Sequence, residues 1–591
     1  MNKNQPLIST FGHTIGRTLA AIGLLLLYPL ANASAEVPAK AYGVWDRGDS
    51  FDPKQYPFLK GLSFNAPWSE VEPKDGVFDW SALDKAVDKA LKNNSFLYVS
   101  LGVGPEAPEW IYTVGVPKVF TDDTRHADKW PFYPYYLAPA YKTRFHRLIT
   151  ELGRHIRSYP EAKQARIAFI QVKTGCTGDE MAYKGEPKDS RYNLPKSSAE
   201  WLKFRLEAFA LFVRTFHAGP GRPIDMLFNS VGGDADGEER YGEEWKWLTT
   251  HVKGGFGIKN GALSRGHHLK GERTLYEQWT KFLVDPKGLT LFRRSEMDQT
   301  WRKTWYQLNV PLNFYWGALN ALNGGQSIWD ISKVAIQSAK EEGFEHSFYF
   351  FNKYAGQIHA QTATEAFCAL HKGLDAADTK AYPESKFGKA EPRNVARMLK
   401  IVEEYARYGA KVEDKDALLM GQVEQRRSQK GFNDVGWSIW PDNYSRFLTQ
   451  IDADATSVPQ WRVGGPITQS SSIYSRFARA FEHASGKDAM YFKLHDNFFA
   501  DSKPKSVTIH VVWYDGQAGS SWKLLYDAGN PTMKTAANVT GTGTRKWLDQ
   551  TVTLTDAVMR RGGTKGSDIA LVNADDRDDT FSLVEVHYDR P

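Results

Sequence analysis

The stretch that decides the fold is IAFIQVKTGCTGDEMAYKGE, residues 167–186. Its first six residues are apolar apart from one Gln, which is typical of a buried strand. The run passes directly into a glycine-containing turn and then reaches two adjacent acids, Asp179 and Glu180. Barrel enzymes present catalytic acids in this way, at the carboxyl ends of parallel strands. The stretch therefore predicts a parallel strand that ends in a functional loop.

The surrounding sequence alternates short apolar runs with longer amphipathic segments from about residue 58 to 450. Predicted helices lie at residues 80–94, 141–159, 198–217, 328–343 and 394–412. The predicted strands are residues 59–68, 95–104, 116–122, 166–175, 223–233, 254–263, 288–298 and 346–356. Eight strands that alternate with helices predict a (β/α)8 TIM barrel, which we assign to residues 40–455.

The last part of the chain has a different pattern. Beyond about residue 460, alternating strand-like runs are separated by turns rich in Gly, Asp and Asn. This pattern predicts an all-β, jelly-roll-like sandwich over residues 460–591. A chain of 591 residues is too long for one ordinary core, so a second domain is expected. The sandwich either braces the barrel or binds carbohydrate.

The N-terminus predicts export. Basic residues Lys3 and Arg17 precede an apolar run over 19–30, and small residues follow up to Ala35. This order is typical of a secretory signal peptide covering residues 1–35, so we expect a secreted or periplasmic protein. The chain has only two cysteines, Cys176 and Cys368, so disulfides do not dominate its stability. The net charge of +6 comes without basic tracts of the kind that bind nucleic acid.

Two glutamates are the candidate catalytic residues. Glu180 follows the fourth predicted strand and Glu296 ends the seventh, and these strands face one another across an eight-stranded barrel. Two carboxyl groups in this arrangement can bracket a glycosidic bond. Glu424 also ends an apolar run and is the rival nucleophile, whereas Glu70 and Glu72 are expected to hold the first loop together.

The opening of the barrel region carries a resemblance to a known group of enzymes. Residues 62–90, LSFNAPWSEVEPKDGVFDWSALDKAVDKA, are similar to the opening of many barrel glycoside hydrolases. With an acid after strand four and another after strand seven, the chain resembles the clan of retaining (β/α)8 enzymes that includes barrel β-galactosidases and agarases. The resemblance implies that Glu180 is the acid/base and Glu296 the nucleophile. Asp179 stands where that clan has Asn, next to the acid/base.

A sugar site also needs flat apolar surfaces and fixed polar groups. The chain has 19 Trp, and 13% of its residues are aromatic, which suits stacking on sugar rings or the packing of a large β-rich protein. The candidate substrate-binding residues are Asn65, Trp68, Trp110, Gln171, Asp179, Asn229, Lys259, Asn260, Tyr354 and Trp437, with Asn352, Gln357 and Trp440 at similar places. Neither a cofactor motif nor a metal-binding motif is present, and the acidic NADDRDD run at residues 573–579 lacks EF-hand spacing.

These observations predict a secreted glycoside hydrolase with a carbohydrate partner. We expect it to cleave a galactan polysaccharide or oligosaccharide with retention, and the cations Lys259, Arg293 and Arg294 make a sulfated agar or carrageenan type acceptable. The alternative is a non-catalytic carbohydrate-binding protein on a barrel that has lost its chemistry. A polysaccharide lyase is less favoured, because no base stands out beside a uronate-binding Arg.

Overall fold

The computed structural model describes residues 37–48, 52–176, 181–195, 197–219, 221–229, 238–259, 290–302, 304–391, 394–412 and 440–590. The predicted signal peptide lies outside these residues. Both cysteines, Cys176 and Cys368, are buried, and they do not form a disulfide with each other. No helix in the described part of the chain combines the length and the apolar character needed to cross a bilayer.

The predicted TIM barrel is confirmed. Eight parallel strands close into one barrel, and each strand pairs with its neighbours in chain order. They are Gly43–Asp46, Leu59–Pro67, Phe96–Gly102, Ile167–Val172, Asp225–Asn229, Gly255–Lys259, Thr290–Met297 and Ile328–Ile331. The run that begins with Ile167 is thus the fourth strand, and the run that carries Glu296 is the seventh.

Helices follow the barrel strands along the chain. The longer ones are Ser81–Lys92, Pro139–Ser158, Ala199–Phe212, Glu238–His251, Val310–Asn323 and Glu345–Ala355. Shorter helices are Trp68–Val71, Trp110–Thr113, Glu161–Gln164, Thr304–Gln307 and Lys333–Ser338. After the barrel come Glu384–Phe387, Val395–Glu404 and Ala453–Thr456. Ser198 and Asn394 cap their helices by accepting hydrogen bonds from the backbone N–H groups of Trp201 and Arg397.

Two predicted strands are wrong. Residues 116–122 contain only the two-residue strand Lys118–Val119, which pairs with Tyr133–Pro134 outside the barrel. Residues 346–356 fall in the helix Glu345–Ala355, whose buried residues recur at helical spacing. Aromatic residues favour strands, but here their period follows the helix, and the period determines which face is buried.

Two true barrel strands were missed. Gly43–Asp46 precedes the predicted start of the alternation, and Ile328–Ile331 was assigned to the start of a helix. Each has only four residues, and all of them are buried, so neither gives the alternating pattern of a half-buried strand. The predicted number of barrel strands, eight, equals the observed number only because two false strands replaced two missed ones.

The C-terminal part is rich in antiparallel sheet, as predicted. One sheet contains Glu365–Ala369, Tyr444–Arg446, Val458–Trp461, Phe477–Ala480, Lys505–Tyr514, Trp547–Ala557 and Thr580–His587. The other contains Leu448–Ile451, Ala489–Leu494, Ala518–Tyr526, Lys534–Thr542 and Ile569–Asn573. Apolar residues from both sheets share one core, which is the arrangement of a sandwich. These sheets therefore contain strands from before and after residue 455, the predicted end of the barrel domain.

One helix connects the barrel to the sandwich. Almost every residue of Val310–Asn323 is buried, which is the pattern of a helix covered on all sides. Asn313 accepts a hydrogen bond from Arg476, and Asn323 accepts one from the backbone N–H of Ser445. The barrel and the antiparallel sheets are thus joined by buried polar contacts as well as by packing.

Candidate active site

Aromatic side chains fill the interior of the barrel below its mouth. The rings of Trp45 and Tyr98 each lie against Phe169, at centroid distances of 5.5 and 5.1 Å. Phe169 also contacts Phe292, at 5.1 Å. Gly257 leaves room for the ring of Phe292, because a Cβ atom there would lie 2.1 Å from it. These rings form a packed floor, so a ligand can enter only above them.

A buried ion pair lies above this floor. Arg294 of the seventh strand donates to Asp330 of the eighth, and both side chains are almost fully buried. The same guanidinium donates to the Tyr98 hydroxyl at 2.9 Å and to Gln171 Oε1 at 3.4 Å. Burial raises the pKa of Asp330, and it does so against the opposing effect of Arg294 and Arg47. The pair is thus a buried, hydrogen-bonded group of opposite charges beneath the mouth of the barrel.

Glu296 stands at the carboxyl end of the seventh strand, with a neighbouring cation at each oxygen. Arg47, which directly follows the first strand, donates to Oε2 of Glu296. The ammonium of Lys259, the last residue of the sixth strand, lies 3.7 Å from Oε1. Glu296 is 9% exposed, so it lies near the surface of the barrel mouth without projecting into solvent.

The acids of this cluster affect the pKa of Arg47. Burial lowers the pKa of the Arg47 guanidinium, but the negative charges of Glu296 and Asp330 outweigh this effect and raise it. Opposite charges within about 4 to 6 Å stabilise the charged form of such a group. Arg47 and Lys259 hold Glu296 in a fixed direction, as a nucleophile at a sugar carbon requires.

Several predicted substrate-binding residues do meet at this mouth. Gln171, Asn229 and Lys259 occupy the ends of strands four, five and six, and the first two are nearly buried. Asn65, near the end of strand two, is exposed, and its amide donates to the Tyr98 hydroxyl at 3.5 Å. Strand alternation turns these positions towards the barrel interior, which brings them together although they are far apart in sequence.

Other predicted residues serve structure. Trp68 is fully buried and donates to the side chain of Glu72, and Trp110 donates to the backbone carbonyl of Glu72. Glu72 also accepts from the Gly76 N–H and from Arg147, so it holds the first loop together as predicted. Trp68 therefore offers no face to a sugar.

The predicted role of Tyr354 is also wrong. This residue lies on the helix Glu345–Ala355, is fully buried and donates to Glu585 of the antiparallel sheet. On the same helix, Asn352 binds the backbone of Phe58 and Val44. Tyr354 and Asn352 therefore hold the barrel and its surroundings together instead of lining the mouth.

The remaining predicted residues add little to the mouth. Gln357 bonds Thr364 after the helix, and Trp440 donates to the Asn443 carbonyl. The predicted site residues that lie outside the described part of the chain are Asp179, Glu180, Asn260, Glu424 and Trp437.

The expected position of Arg293 at the site is corrected as well. Arg293 is fully buried, and its guanidinium donates to the Gly325 carbonyl at 3.3 Å. Side chains alternate along a strand, so Phe292 and Arg294 point into the barrel while Arg293 points away from its interior. The cations beside Glu296 are Arg47 and Lys259.

Arg47, Tyr98 and Asp330 belong to the site but are not among the residues predicted from the sequence. Their signal was present: Asp330 is a charge inside the apolar run IWDI, and Arg47 follows the apolar run GVW after a single Asp. Buried charges are rare unless they are paired, so a charge in such a run indicates a function or an ion pair. Both runs were overlooked because each is only four residues long.

Comparisons with known proteins agree with this geometry. Residues 63–174 match the family model of glycoside hydrolase family 42, described as beta-galactosidase. The match extends from the second barrel strand through the end of the fourth, and it includes the loop held by Glu72. The chain is a glycoside hydrolase of the TIM-barrel type. No curated protein matches the chain significantly.

Solved structures of similar fold include three glycosidases. The catalytic domain of beta-amylase from Paenibacillus polymyxa is 9% identical, and the match covers 54% of this chain and 97% of that chain with a TM-score of 0.38. Xylanase 10B from Thermotoga maritima is 12% identical over 55% and 99% of the two chains, with a TM-score of 0.34. The intracellular xylanase TsXylA from Thermoanaerobacterium saccharolyticum is 15% identical over 51% and 88%, at 0.30. Similarities of this extent support no conclusion about activity or substrate.

No metal site accompanies the acids in the described part of the chain. Among those residues, no group of three or more His, Cys, Asp or Glu side chains is placed to hold a metal ion. The described mouth places the carboxylate of Glu296 beside the cations Arg47 and Lys259.

Proposed function

We propose that this glycoside hydrolase cleaves a galactan, neutral or sulfated, with retention of configuration, and that Glu296 is its nucleophile. The observation that carries the proposal is the position of Glu296 at the end of the seventh barrel strand, between Arg47 and Lys259. Catalytic residues of TIM barrels occupy the carboxyl ends of strands. The second carboxyl of the mechanism is assigned to Glu180, which follows the fourth strand in the sequence.

The reaction proceeds in two steps. Glu180 gives its proton to the glycosidic oxygen while a Glu296 oxygen attacks the anomeric carbon, which releases the leaving sugar and leaves a glycosyl ester on Glu296. Glu180, now a carboxylate, then takes a proton from water, whose oxygen displaces Glu296 and restores both groups. Retaining enzymes hold the two carboxyl groups about 5 to 5.5 Å apart.

The contacts of Glu296 fix the direction of its carboxylate. Oε2 accepts a hydrogen bond from Arg47. Oε1 lies 3.7 Å from the ammonium of Lys259, close enough for charge attraction. Arg47 and Lys259 therefore hold the carboxylate in place for its attack on the anomeric carbon.

The charge at the mouth is compatible with a sulfated substrate. Arg47 and Lys259 are two cations beside one catalytic carboxylate, and an anionic sugar unit experiences less repulsion there than in a site lined by acids alone. Sulfated galactans of the agar or carrageenan type and neutral galactans are the polymers to compare. A neutral polymer with much higher turnover than every sulfated one would remove the sulfated substrate from the proposal.

Export completes the proposal. The basic, apolar and small-residue segments of residues 1–35 have the order of a signal peptide, and we therefore expect the mature enzyme to act outside the cytoplasm, where polysaccharides occur. N-terminal sequencing of the protein recovered from the periplasm or the medium tests this step. A mature chain that still begins at Met1 would refute cleavage after Ala35.

The deciding experiment measures hydrolysis of neutral and sulfated galactans, xylans and glucans by the mature protein and by Glu180→Gln and Glu296→Gln. Both variants should lose several orders of magnitude in kcat on the one polymer that the enzyme cleaves. Glu70→Gln is the matched control, because Glu70 is an exposed glutamate on the short helix Trp68–Val71 after the second strand. Its activity should be unchanged.

Azide rescue separates the two roles. With an aryl β-galactoside, Glu296→Ala in azide should yield a glycosyl azide of inverted configuration, because azide takes the place of the missing nucleophile. Glu180→Ala should yield one of retained configuration, because the glycosyl ester still forms. Activity that survives both substitutions would redirect the assignment to Glu424, and inactivity on every polymer would favour the non-catalytic binding protein.

A further inference from the structure

We propose that the antiparallel sheets carry a second carbohydrate site, in a cavity of about 380 Å³ whose lining residues lie between 407 and 580. This inference rests on the proposed function, since its ligand is a neutral sugar unit of the chain that the barrel hydrolyses. All lining residues follow the last barrel strand, which ends at Ile331. The volume lies within the range of about 300 to 1,000 Å³ of small-molecule sites.

Tyr514 provides the flat surface that a sugar ring needs. It is half-buried at the end of the strand Lys505–Tyr514, and its ring is braced from one direction by Trp547 at a centroid distance of 5.4 Å. A Cβ atom at Gly516 would lie 3.3 Å from two carbons of the ring. Glycine at this position therefore keeps a side chain off the tyrosine, and an aromatic ring left open in a cavity suits the apolar face of a sugar.

A buried carboxyl group supplies an unfilled hydrogen bond in the same wall. Asp579 is 3% exposed and its Oδ1 accepts from the Ser520 hydroxyl at 2.9 Å. Its Oδ2 has no hydrogen-bond partner among the residues that the structure describes. Burial, reinforced by nearby carboxylates, raises the pKa of Asp579 to about 6. Asp579 lines the cavity, and a sugar hydroxyl can bond this carboxyl group in either protonation state once the side chain turns Oδ2 towards the cavity, because a hydroxyl both donates and accepts.

A strained arginine completes the lining. Arg462 has a φ of 59°, in the left-handed region that non-glycine residues rarely occupy. Such conformations cost free energy and are concentrated at binding sites. Across the cavity, Arg407 lies over the ring of Tyr408 at 4.5 Å and 3.3 Å from Glu482, which leaves its charge already matched.

The charge balance selects a neutral ligand. Two acids, Asp578 and Asp579, and two arginines, Arg407 and Arg462, line the cavity, so that their charges balance. No group of acids or histidines in the described chain is placed to hold a metal ion. Aromatic, amide and paired charged groups around an open cavity together fit the hydroxyls and the ring face of a neutral hexose.

The test is calorimetric titration of full-length Glu296→Gln, which cannot consume its ligand, with β-1,4-galactotetraose, a neutral agaro-oligosaccharide and xylotetraose. The expected result is two sites per chain for one of these probes. Adding Tyr514→Ala or Asp579→Asn should weaken one site about tenfold, the loss expected for an aromatic contact or a hydrogen bond to a charged group.

Two further variants guard against a folding artefact. Arg462→Gly removes the guanidinium and relieves the left-handed strain, so it should weaken the same site without lowering the Tm. Tyr349→Ala is the matched control, because it removes an exposed tyrosine from the helix Glu345–Ala355, whose residues do not line the cavity. Its binding should equal that of the parent.

The outcomes separate this inference from the proposed function. The second site would be overturned, even if the enzyme hydrolyses galactan, by a stoichiometry of one site per chain. It would also be overturned by two sites whose affinities are unchanged in all three cavity variants. If the wild-type enzyme hydrolyses none of the polymers but the cavity variants still bind a probe more weakly, the second site stands and the proposed function is refuted. Absence of binding to all three probes would overturn the second site.

Discussion

Asp330→Asn removes one charge from the ion pair inside the barrel while keeping the shape of the side chain. Arg294 then retains the Tyr98 hydroxyl and the Gln171 carbonyl as acceptors, both of them neutral. Arg47, whose Nε lies 3.8 Å from Asp330, loses the same counter-charge. Breaking a buried pair by removing one partner costs about 3 to 5 kcal/mol. We expect the upper half of this range, because two guanidinium groups are left facing one another.

The assay is urea unfolding followed by tryptophan fluorescence, with kcat measured on the same samples. Arg294→Met combined with Asp330→Asn should recover most of the lost stability, since it removes both charges together. Asp75→Asn is the surface control: Asp75 pairs with Arg144 at 3.0 Å near solvent and should cost less than about 1 kcal/mol. An Asp330→Asn protein within about 1 kcal/mol of wild type would refute the buried-pair reasoning.

Three further predictions concern packing, titration and capping. Gly257→Ala should lower stability by about 1 to 3 kcal/mol in urea unfolding, because its methyl group would overlap the ring of Phe292; an unchanged midpoint would contradict the packed floor. The hydrogen bond to Glu585 raises the pKa of His510, so the protonated ring stabilises the fold below pH ~6.5, and this contribution is lost as pH rises through the raised pKa. His510→Gln should flatten the alkaline side of Tm against pH; an unaltered profile would show that the ring does not contribute. Asn309→Ala should cost about 2 to 3 kcal/mol in the same unfolding assay, because this residue caps the helix Val310–Asn323 and donates to two carbonyls of the loop at 467–470; a loss below 1 kcal/mol would count against it.

The helical segments were predicted well because their apolar residues recur along one face. The predictions over 80–94, 141–159 and 198–217 coincide with helices that begin and end within about two residues of them, and the third continues to its predicted end as the π-helix Val213–His217. The failures were short elements. A four-residue strand buried on both sides, such as Ile328–Ile331, has no alternation for a pattern to reveal.

The candidate site could be predicted only where it lies on a long, recognisable strand. Glu296 could be placed at the end of the seventh strand because the run from residue 288 to 298 is long enough to be recognised as a strand. Arg47 could not be assigned to Glu296, since 249 residues separate them in the chain and their contact exists only after the barrel closes. Tyr354 failed as a site residue because its aromatic surroundings are equally typical of a buried helix.

The sequence by itself determined that this chain alternates strands and helices, adds antiparallel sheets and places an acid at the end of the seventh strand. These are consequences of local period and turn chemistry, which each segment carries alone. The tertiary structure alone decided which cations hold Glu296, which charges are buried beneath it and which aromatic residues are packing. Those properties depend on strands that become neighbours only when the barrel closes, and on a burial that gives the pairing of charges its energy.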